Sequence, residues 1–207
     1  LWKRWGRLLV AAIGAGLLAL AGWLWWRDHQ AKQAGLEAER LNAAIEQLSR
    51  NQLDESRPAL DALAGSSRPG YRAAARMATG AILAQKNDVQ GAAAAFGAVA
   101  GDEAVGEPLR QLALIRRTTA EFDTLAPDQV IARLGPLARK GSPWFGSAGE
   151  LVAVAHLKAG RPREAGAVFA AIAADASVPP SIRSRAAQMA SVTGVEIDPA
   201  ALPRQSR

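Results

Sequence analysis

Residues 146–179 decide the fold, and they read GSAGELVAVAHLKAGRPREAGAVFAAIAADASVP. Within these 34 residues, two stretches with apolar side chains at helical spacing are separated by Gly160, and a proline ends the second. The small Ala153 lies where two packed helices would cross closely. Ala165 and Phe169 mark the buried face of the second helix. The stretch is therefore predicted to form an antiparallel pair of helices.

The same pattern occurs earlier in the chain. Ala92 and Phe96 precede Ala165 and Phe169 by 73 residues, which equals two repeats of about 34 residues with a small insertion. Gly80 occupies the close-packing place in the earlier unit. A repeat of about 34 residues built from two helices is typical of tetratricopeptide solenoids.

The predicted fold class is all-α. Residues 27–194 are expected to form a tetratricopeptide-like α-solenoid of about four degenerate helical hairpins, with an irregular helical bundle as the alternative. Residues 195–207 are expected to be a disordered tail. The composition agrees, because Ala, Leu, Arg and Glu favour helices and only 5% of the residues are aromatic.

An apolar segment precedes the predicted repeats. Leu8–Trp26 holds nineteen residues and no charged side chain. As a helix it would span about 28 Å, close to the hydrocarbon thickness of a bilayer. Tryptophans flank both of its ends, as in interfacial belts: Trp2, Trp5, Trp23, Trp25 and Trp26. We predict a single transmembrane helix that continues as a helix to about Gln52; the alternatives are a buried core helix and a cleaved signal peptide.

The basic residues around this segment predict its orientation. Residues 1–7 carry Lys3, Arg4 and Arg7, which favours a basic cytoplasmic flank and a cytoplasmic N-terminus. The repeat domain would then lie in the periplasm, with the chain crossing a bacterial inner membrane once. The sequence begins with Leu1 and not with Met, so further residues are expected upstream.

The net charge of +6 is concentrated in the same region. Residues 1–32 hold five basic and one acidic side chain, whereas the other 175 residues hold 20 basic and 18 acidic ones. A nearly balanced domain offers no strongly basic face for phosphate contacts. Nucleic acid is therefore not expected as a partner.

Small residues recur on one side of the predicted span. They are the candidate membrane helix-packing residues Ala11, Ala12, Ala15, Gly16 and Ala19. Their spacing of four residues would let a second helix approach closely. The alternative is that alanine and glycine are simply frequent in this chain.

Catalytic, cofactor-binding and metal-binding residues are not predicted. The chain has no cysteine. His29 follows the predicted span and is expected to be a solvated interfacial residue, and His156 has no second histidine or carboxylate close in sequence. No sequence pattern matches a nucleophile elbow or a phosphate loop. We expect a non-enzymatic protein without a small-molecule substrate.

Five residues are candidates for protein binding. They are Tyr71, Trp144, Phe145, Arg183 and Arg185. Exposed aromatic residues and arginines often dominate protein interfaces. The alternative is that the aromatics fill the core where two repeats meet and that the arginines belong to solvated faces.

Four segments carry a resemblance to a known family. They are LWKRWGR at 1–7, GSPWF at 141–145, LKAGR at 157–161 and PPSIRSRA at 179–186. Together with the order of anchor and repeats, the chain resembles the YfgM-like ancillary subunits of the Sec translocon in their alphaproteobacterial version.

The resemblance implies a function in protein binding. It implies a periplasmic repeat domain, without enzymatic activity, that binds proteins near the translocon and periplasmic chaperones such as a prolyl isomerase. The second hypothesis is a single-span accessory subunit of a large inner-membrane complex, respiratory or photosynthetic. Either function makes the lipid bilayer and a membrane protein complex the expected partners.

Overall fold

A computed structural model describes the backbone of residues 2–195 and the side chains of residues 14–195. These residues form nine α-helices and no β-strand, which confirms the all-α prediction. The helices are α1 Trp2–Ser49, α2 Leu53–Ala64, α3 Pro69–Gln85, α4 Val89–Ala100, α5 Glu107–Ala120, α6 Pro127–Leu134, α7 Phe145–Lys158, α8 Pro162–Ala174 and α9 Pro180–Val192. Of the predicted tail at 195–207, only Val195 is described.

The first helix, α1, is continuous from Trp2 to Ser49, so the predicted continuation of the apolar segment as a helix is confirmed. Two of its apolar side chains, Leu36 and Ile45, are exposed. Ala44 is fully buried, and at about 100° per residue its neighbour Ile45 turns away. In place of Leu36, the neighbouring Glu37 faces inward, where Arg68 binds its carboxylate.

The transmembrane prediction for Leu8–Trp26 is not confirmed. Over the residues whose side chains are described, no helix is both long enough and apolar enough to cross a membrane. Residues 8–13 of the predicted span lie outside that part of the chain.

The chain divides into two compact units, Leu1–Ala75 and Arg76–Arg207. In the first unit α1 packs against α2, whose Leu60 and Leu63 are buried. The loop after α2 is fastened to α1 by a set of hydrogen bonds that we call the α1 clasp. Ser66 Oγ donates to Glu37 Oε1 (2.7 Å), and the Arg68 guanidinium donates to Glu37 Oε2 (2.8 Å) and to the backbone oxygen of Gln30 (2.6 Å).

Two clusters of buried residues form a large part of the core of the second unit. The α5–α7 cluster holds Ile115, Val130, Leu134, Leu137, Ala148, Val152 and Ala155. The α7–α9 cluster holds Phe145, Ala153, Ala165, Phe169, Ile172, Ala173, Val178, Ala186 and Ala190. Ala153, Ala165 and Phe169 are all buried together, as the repeat pattern predicted. Many of these side chains are small, so adjacent helices approach closely.

One close approach lies between α3 and α4. A Cβ atom at Gly80 would lie 2.7 Å from the ring of Phe96, which is itself buried. The prediction that Gly80 occupies a close-packing position is therefore confirmed.

Four helices of the chain end with the same left-handed backbone conformation. Asn51, Asn87, Gly160 and Gly194 have φ values between 59° and 80° and follow α1, α3, α7 and α9. After each, the next backbone N–H donates to the carbonyl five residues earlier, as in Arg161 to His156 (2.9 Å). Gly160 follows Asn87 by 73 residues and precedes Gly194 by 34, so these caps reproduce the predicted repeat length.

Candidate protein-binding groove

Three helices, α5, α7 and α9, line an open groove of about 910 Å³ in the second unit. Each of them is the first helix after a repeat boundary, and in a stack of helical hairpins such helices lie on the same side. The groove therefore follows directly from the repeat pattern, since it consists of one face of every second helix.

The floor of the groove is apolar. Ile115 of α5 and Phe169 of α8 are buried beneath it, and Leu151 of α7 is half-buried. Val154 of α7 and Met189 of α9 also line the groove, and Val154 is exposed. An apolar side chain from another molecule could therefore lose contact with water here.

Trp144 stands at one end of the groove, immediately before α7. Its indole Nε1 donates to Gln111 Oε1 of α5 at 2.7 Å. Trp144 also packs against the α5–α7 cluster and is half-buried. The side chain thus contributes to the core and lines the groove at the same time, and its hydrogen bond fixes the orientation of the ring.

Phe122 also lines the groove, and Lys158 contacts it from the end of α7. The Lys158 ammonium donates to the backbone oxygens of Phe122 (3.1 Å) and Asp123 (3.0 Å). It also lies 5.5 Å from the centroid of the Phe122 ring. These contacts attach the end of α7 to the loop after α5.

Four charged side chains line the groove: Arg116, Asp123, Glu150 and Arg185. Arg185 donates to both carboxylate oxygens of Glu150, Nε at 2.7 Å and Nη2 at 2.5 Å. The hydrogen bonds and charge of Glu150 raise the pKa of Arg185. Arg116 is exposed, and no residue that the structure describes forms an ion pair with it.

Two of the five predicted protein-binding residues, Trp144 and Arg185, thus lie in the groove. The other three do not. Phe145 is buried in the α7–α9 cluster, and Arg183 Nε donates to the backbone oxygen of Ala173 (3.1 Å). Tyr71 belongs to the first unit, where its hydroxyl donates to the backbone oxygen of Ala34 (3.2 Å).

The predicted helix-packing residues are only partly described. The side chains of Ala11 and Ala12 lie outside the described residues. Ala15, Gly16 and Ala19 are exposed on α1. Their packing against a second helix stays a prediction.

The sequence reasoning did not identify Arg116 and Val154 as groove residues. Each directly follows a buried residue, Ile115 and Ala153, so each is rotated by about 100° from the core. In a helix that is buried on one face and lines a groove on the adjacent face, the residue after a buried residue points into the groove. The order of the repeats is needed to tell which helices line the groove.

His156 lies on α7 in the second unit and is half-buried. Burial is the main cause that lowers its pKa, and its Nδ1 has no hydrogen-bond partner. Among the described residues, no group of three or more His, Cys, Asp or Glu side chains could hold a metal ion. The groove itself is lined by apolar and charged side chains, which can make apolar contacts and ion pairs.

Comparison with known proteins places the chain in a family. No curated protein and no solved structure matches it significantly, and the narrower resemblance to YfgM-like subunits is not confirmed. The family model of the tetratricopeptide repeat-like domain matches residues 1–189, nearly the whole chain. With the repeated hairpins and their recurring caps, this match shows that the chain belongs to the tetratricopeptide repeat-like domain family.

Proposed function

We propose that this protein is a scaffold that binds a partner protein in the groove of α5, α7 and α9. Tetratricopeptide repeat-like domains are typically non-enzymatic protein-interaction folds. The observation that carries the proposal is an open apolar groove whose walls are joined by defined polar contacts.

Fixed walls favour binding because little order has to be gained on association. Trp144 is held by Gln111, and Arg185 is held by Glu150. A tryptophan with a set orientation at the edge of a groove is the kind of residue that dominates protein interfaces. The bound segment would cover the apolar floor, and the polar contacts would remain at the rim.

We further propose that the apolar part of α1 holds the protein at a membrane, with the repeat domain on the periplasmic side. Leu17, Leu18 and Trp25 are 61%, 76% and 70% exposed, so most of their apolar surface is left uncovered by the described part of the chain. A bilayer would supply those contacts. Arg27 lies 5.6 Å from the ring of Trp23, a pairing that suits the interface between lipid and water.

The partners proposed on the basis of the sequence resemblance are the Sec translocon and periplasmic chaperones. The alternative is an accessory role in another inner-membrane complex. In both proposals a protein partner binds in the groove, and the two proposals differ only in which protein that is.

A photo-crosslinking experiment tests the groove and the partner together. A crosslinking amino acid is placed at Val154 in the groove, and at the exposed Arg163 of α8 as the matched control. The expected result is crosslinking to translocon or chaperone components from position 154 but not from 163. The absence of any crosslink from 154 would contradict groove binding. Crosslinks to one respiratory complex, with stoichiometric co-purification, would identify that complex as the partner in place of the translocon.

Fractionation of cells tests the membrane proposal separately. The full chain is expected to stay with the membrane after alkaline carbonate extraction. Recovery of the full chain in the supernatant would overturn the membrane proposal and leave the groove proposal standing.

A further inference from the structure

We infer that the first unit binds the headgroups of anionic lipids at the end that adjoins the apolar part of α1, and that Arg27 and Lys32 attract them. The inference rests on the proposed membrane role of α1, and it specifies the kind of lipid that the protein selects. It follows from where the basic and acidic side chains of the first unit lie.

The α1 clasp determines which part of the first unit lies next to the apolar part of α1. Arg68 Nη2 donates to the backbone oxygen of Gln30 at 2.6 Å, and the Tyr71 hydroxyl donates to that of Ala34 at 3.2 Å. At about 1.5 Å per residue, Gln30 lies about 6 Å past Trp26, the last residue of the apolar segment. The loop after α2 therefore returns to the level at which lipid headgroups would lie.

Basic and acidic side chains are unequally divided between the two ends of this unit. The membrane-proximal end, residues 27–37 and 64–72, holds four basic and two acidic side chains, a net charge of +2. The distal end, residues 38–63, holds three basic and five acidic side chains, a net charge of −2. An anionic surface would attract the proximal end and repel the distal end.

The contacts within the membrane-proximal end leave basic groups accessible to a ligand. Glu37 binds Arg68 at 2.8 Å, and this pair belongs to the α1 clasp. Lys32 binds Asp28 at 2.7 Å, but their side chains are 73% and 62% exposed. Such an exposed pair is worth little, so a phosphate can compete for Lys32. Arg27 is exposed, and no residue that the structure describes forms an ion pair with it.

Arg27 has the position and the chemistry that headgroup binding requires. Its guanidinium lies 5.6 Å from the centroid of the Trp23 ring, and tryptophans at the end of a span lie at the level of the headgroups. The planar guanidinium can donate two parallel hydrogen bonds to phosphate oxygens. We expect an anionic lipid to be enriched about fivefold over a zwitterionic lipid beside this end of the protein.

The test measures which lipid lies beside this end of the full chain in a bilayer. Vesicles contain equal parts of phosphatidylcholine and phosphatidylglycerol, and one lipid or the other has brominated acyl chains, which quench nearby tryptophans. The substitutions W2F, W5F and W144F leave the three tryptophans of residues 23–26 as the only reporters. Quenching is expected to be stronger when the phosphatidylglycerol carries the bromine.

Two double variants in this background assign the preference to particular residues. R27Q/K32Q removes two charges from the membrane-proximal end and is expected to give equal quenching by the two lipids. R50Q/R57Q is the matched control at the distal end and is expected to keep the preference. Arg50 binds Glu46 at 2.6 Å in an exposed pair like that of Lys32, and Arg57 is exposed like Arg27.

Salt gives a further test that leaves the basic residues in place. The Debye length falls from about 10 Å at 0.1 M salt to about 3 Å at 1 M, so the preference is expected to weaken in 1 M salt. A preference that is unchanged in 1 M salt would show that charge is not its cause and would overturn the inference.

The remaining outcomes separate the inference from the proposal on which it rests. Circular dichroism checks that each variant is folded. Equal quenching by the two lipids before the charges are changed, or an equal preference in R27Q/K32Q and R50Q/R57Q, would overturn the inference and leave the membrane role standing. If neither brominated lipid quenches the tryptophans, the apolar part of α1 lies outside the bilayer and the proposed membrane role itself fails.

Discussion

Gly80 shows how closely two helices of this repeat domain approach. A methyl group at this position would meet the buried ring of Phe96 at 2.7 to 2.9 Å, which is well inside contact distance. Replacement by alanine gains up to about 1 kcal/mol of helix propensity but overpacks the core by about 1–3 kcal/mol. We therefore expect G80A to lower the free energy of unfolding by about 1–2 kcal/mol, as measured by urea denaturation.

G70A is the matched control for that measurement. Gly70 lies on the same helix, and nothing lies within 4 Å of a Cβ atom there. Its substitution is expected to leave stability unchanged or to increase it slightly. Equal losses in the two variants would contradict the close packing of α3 on α4.

The left-handed residues give a second prediction for single residues. Gly160 has φ +71° and Asn87 has φ +59°, although only glycine adopts this region without strain. G160A is expected to cost about 1 kcal/mol, whereas N87G is expected to change stability by less than about 0.5 kcal/mol. Thermal unfolding of both variants checks this; a loss in N87G as large as that in G160A would show that the asparagine side chain is essential.

At the scale of residues, the sequence predicts burial better than it predicts contact surfaces. Ala165 and Phe169 could be assigned to the core because apolar spacing reports the buried face directly. Trp144 and Phe145 are adjacent and both aromatic, yet one lines the groove and the other is in the core. The difference is a rotation of about 100° at the start of α7, which depends on where the helix begins.

At the scale of elements, the α1 clasp links a loop to a helix through a carboxylate. Hydrogen bonding by Ser66 is the main cause that lowers the pKa of Glu37, and Arg68 adds to it. Because the folded value is lowered, this stabilisation is present above the ordinary glutamate pKa of about 4.3 and is lost as the pH falls through the folded value.

The variant E37Q should therefore remove a pH-dependent part of stability. Native protein is expected to be more stable than E37Q near pH 7, and the difference is expected to shrink as the pH falls below the ordinary glutamate pKa and through the lowered folded value. Urea denaturation, monitored through the hydrogen exchange of residues 30–37, measures this difference in stability. A difference that stays constant over this pH range would rule out the carboxylate as the cause.

The same clasp explains why an apolar residue of α1 is exposed. Leu36 turns outwards because the neighbouring Glu37 takes an inward position through Ser66 and Arg68. These partners lie 29 and 31 residues away in sequence. A polar residue satisfied by distant partners is invisible to periodicity within the helix.

At the scale of the molecule, burial is unevenly distributed along the chain. The α7–α9 cluster unites nine buried residues from three consecutive helices and the loop before α9, whereas the described part of α1 buries Ala44 alone. In repeat proteins stability is roughly a sum of local and neighbour terms, so such differences persist in the native state.

Hydrogen exchange is therefore expected to be slowest in α7 and α8. Amides around Ala153 and Phe169 should be the most protected, and those of α1 after residue 26 the least protected among the helices. Exchange mass spectrometry of the full chain measures both. Uniform protection from α1 to α9 would show that the chain unfolds as one cooperative unit.

The recurring helix caps have a consequence for engineering. Gly160 and Gly194 end their helices with the same backbone geometry, so residues 161–194 begin and end in equivalent states. A duplicate of this segment could be inserted at Gly160 without redesigning either junction. Each added copy would lengthen the array by one defined step and supply another first helix beside α7 and α9. Residues 161–194 are thus a segment that can be duplicated to build a longer binding surface.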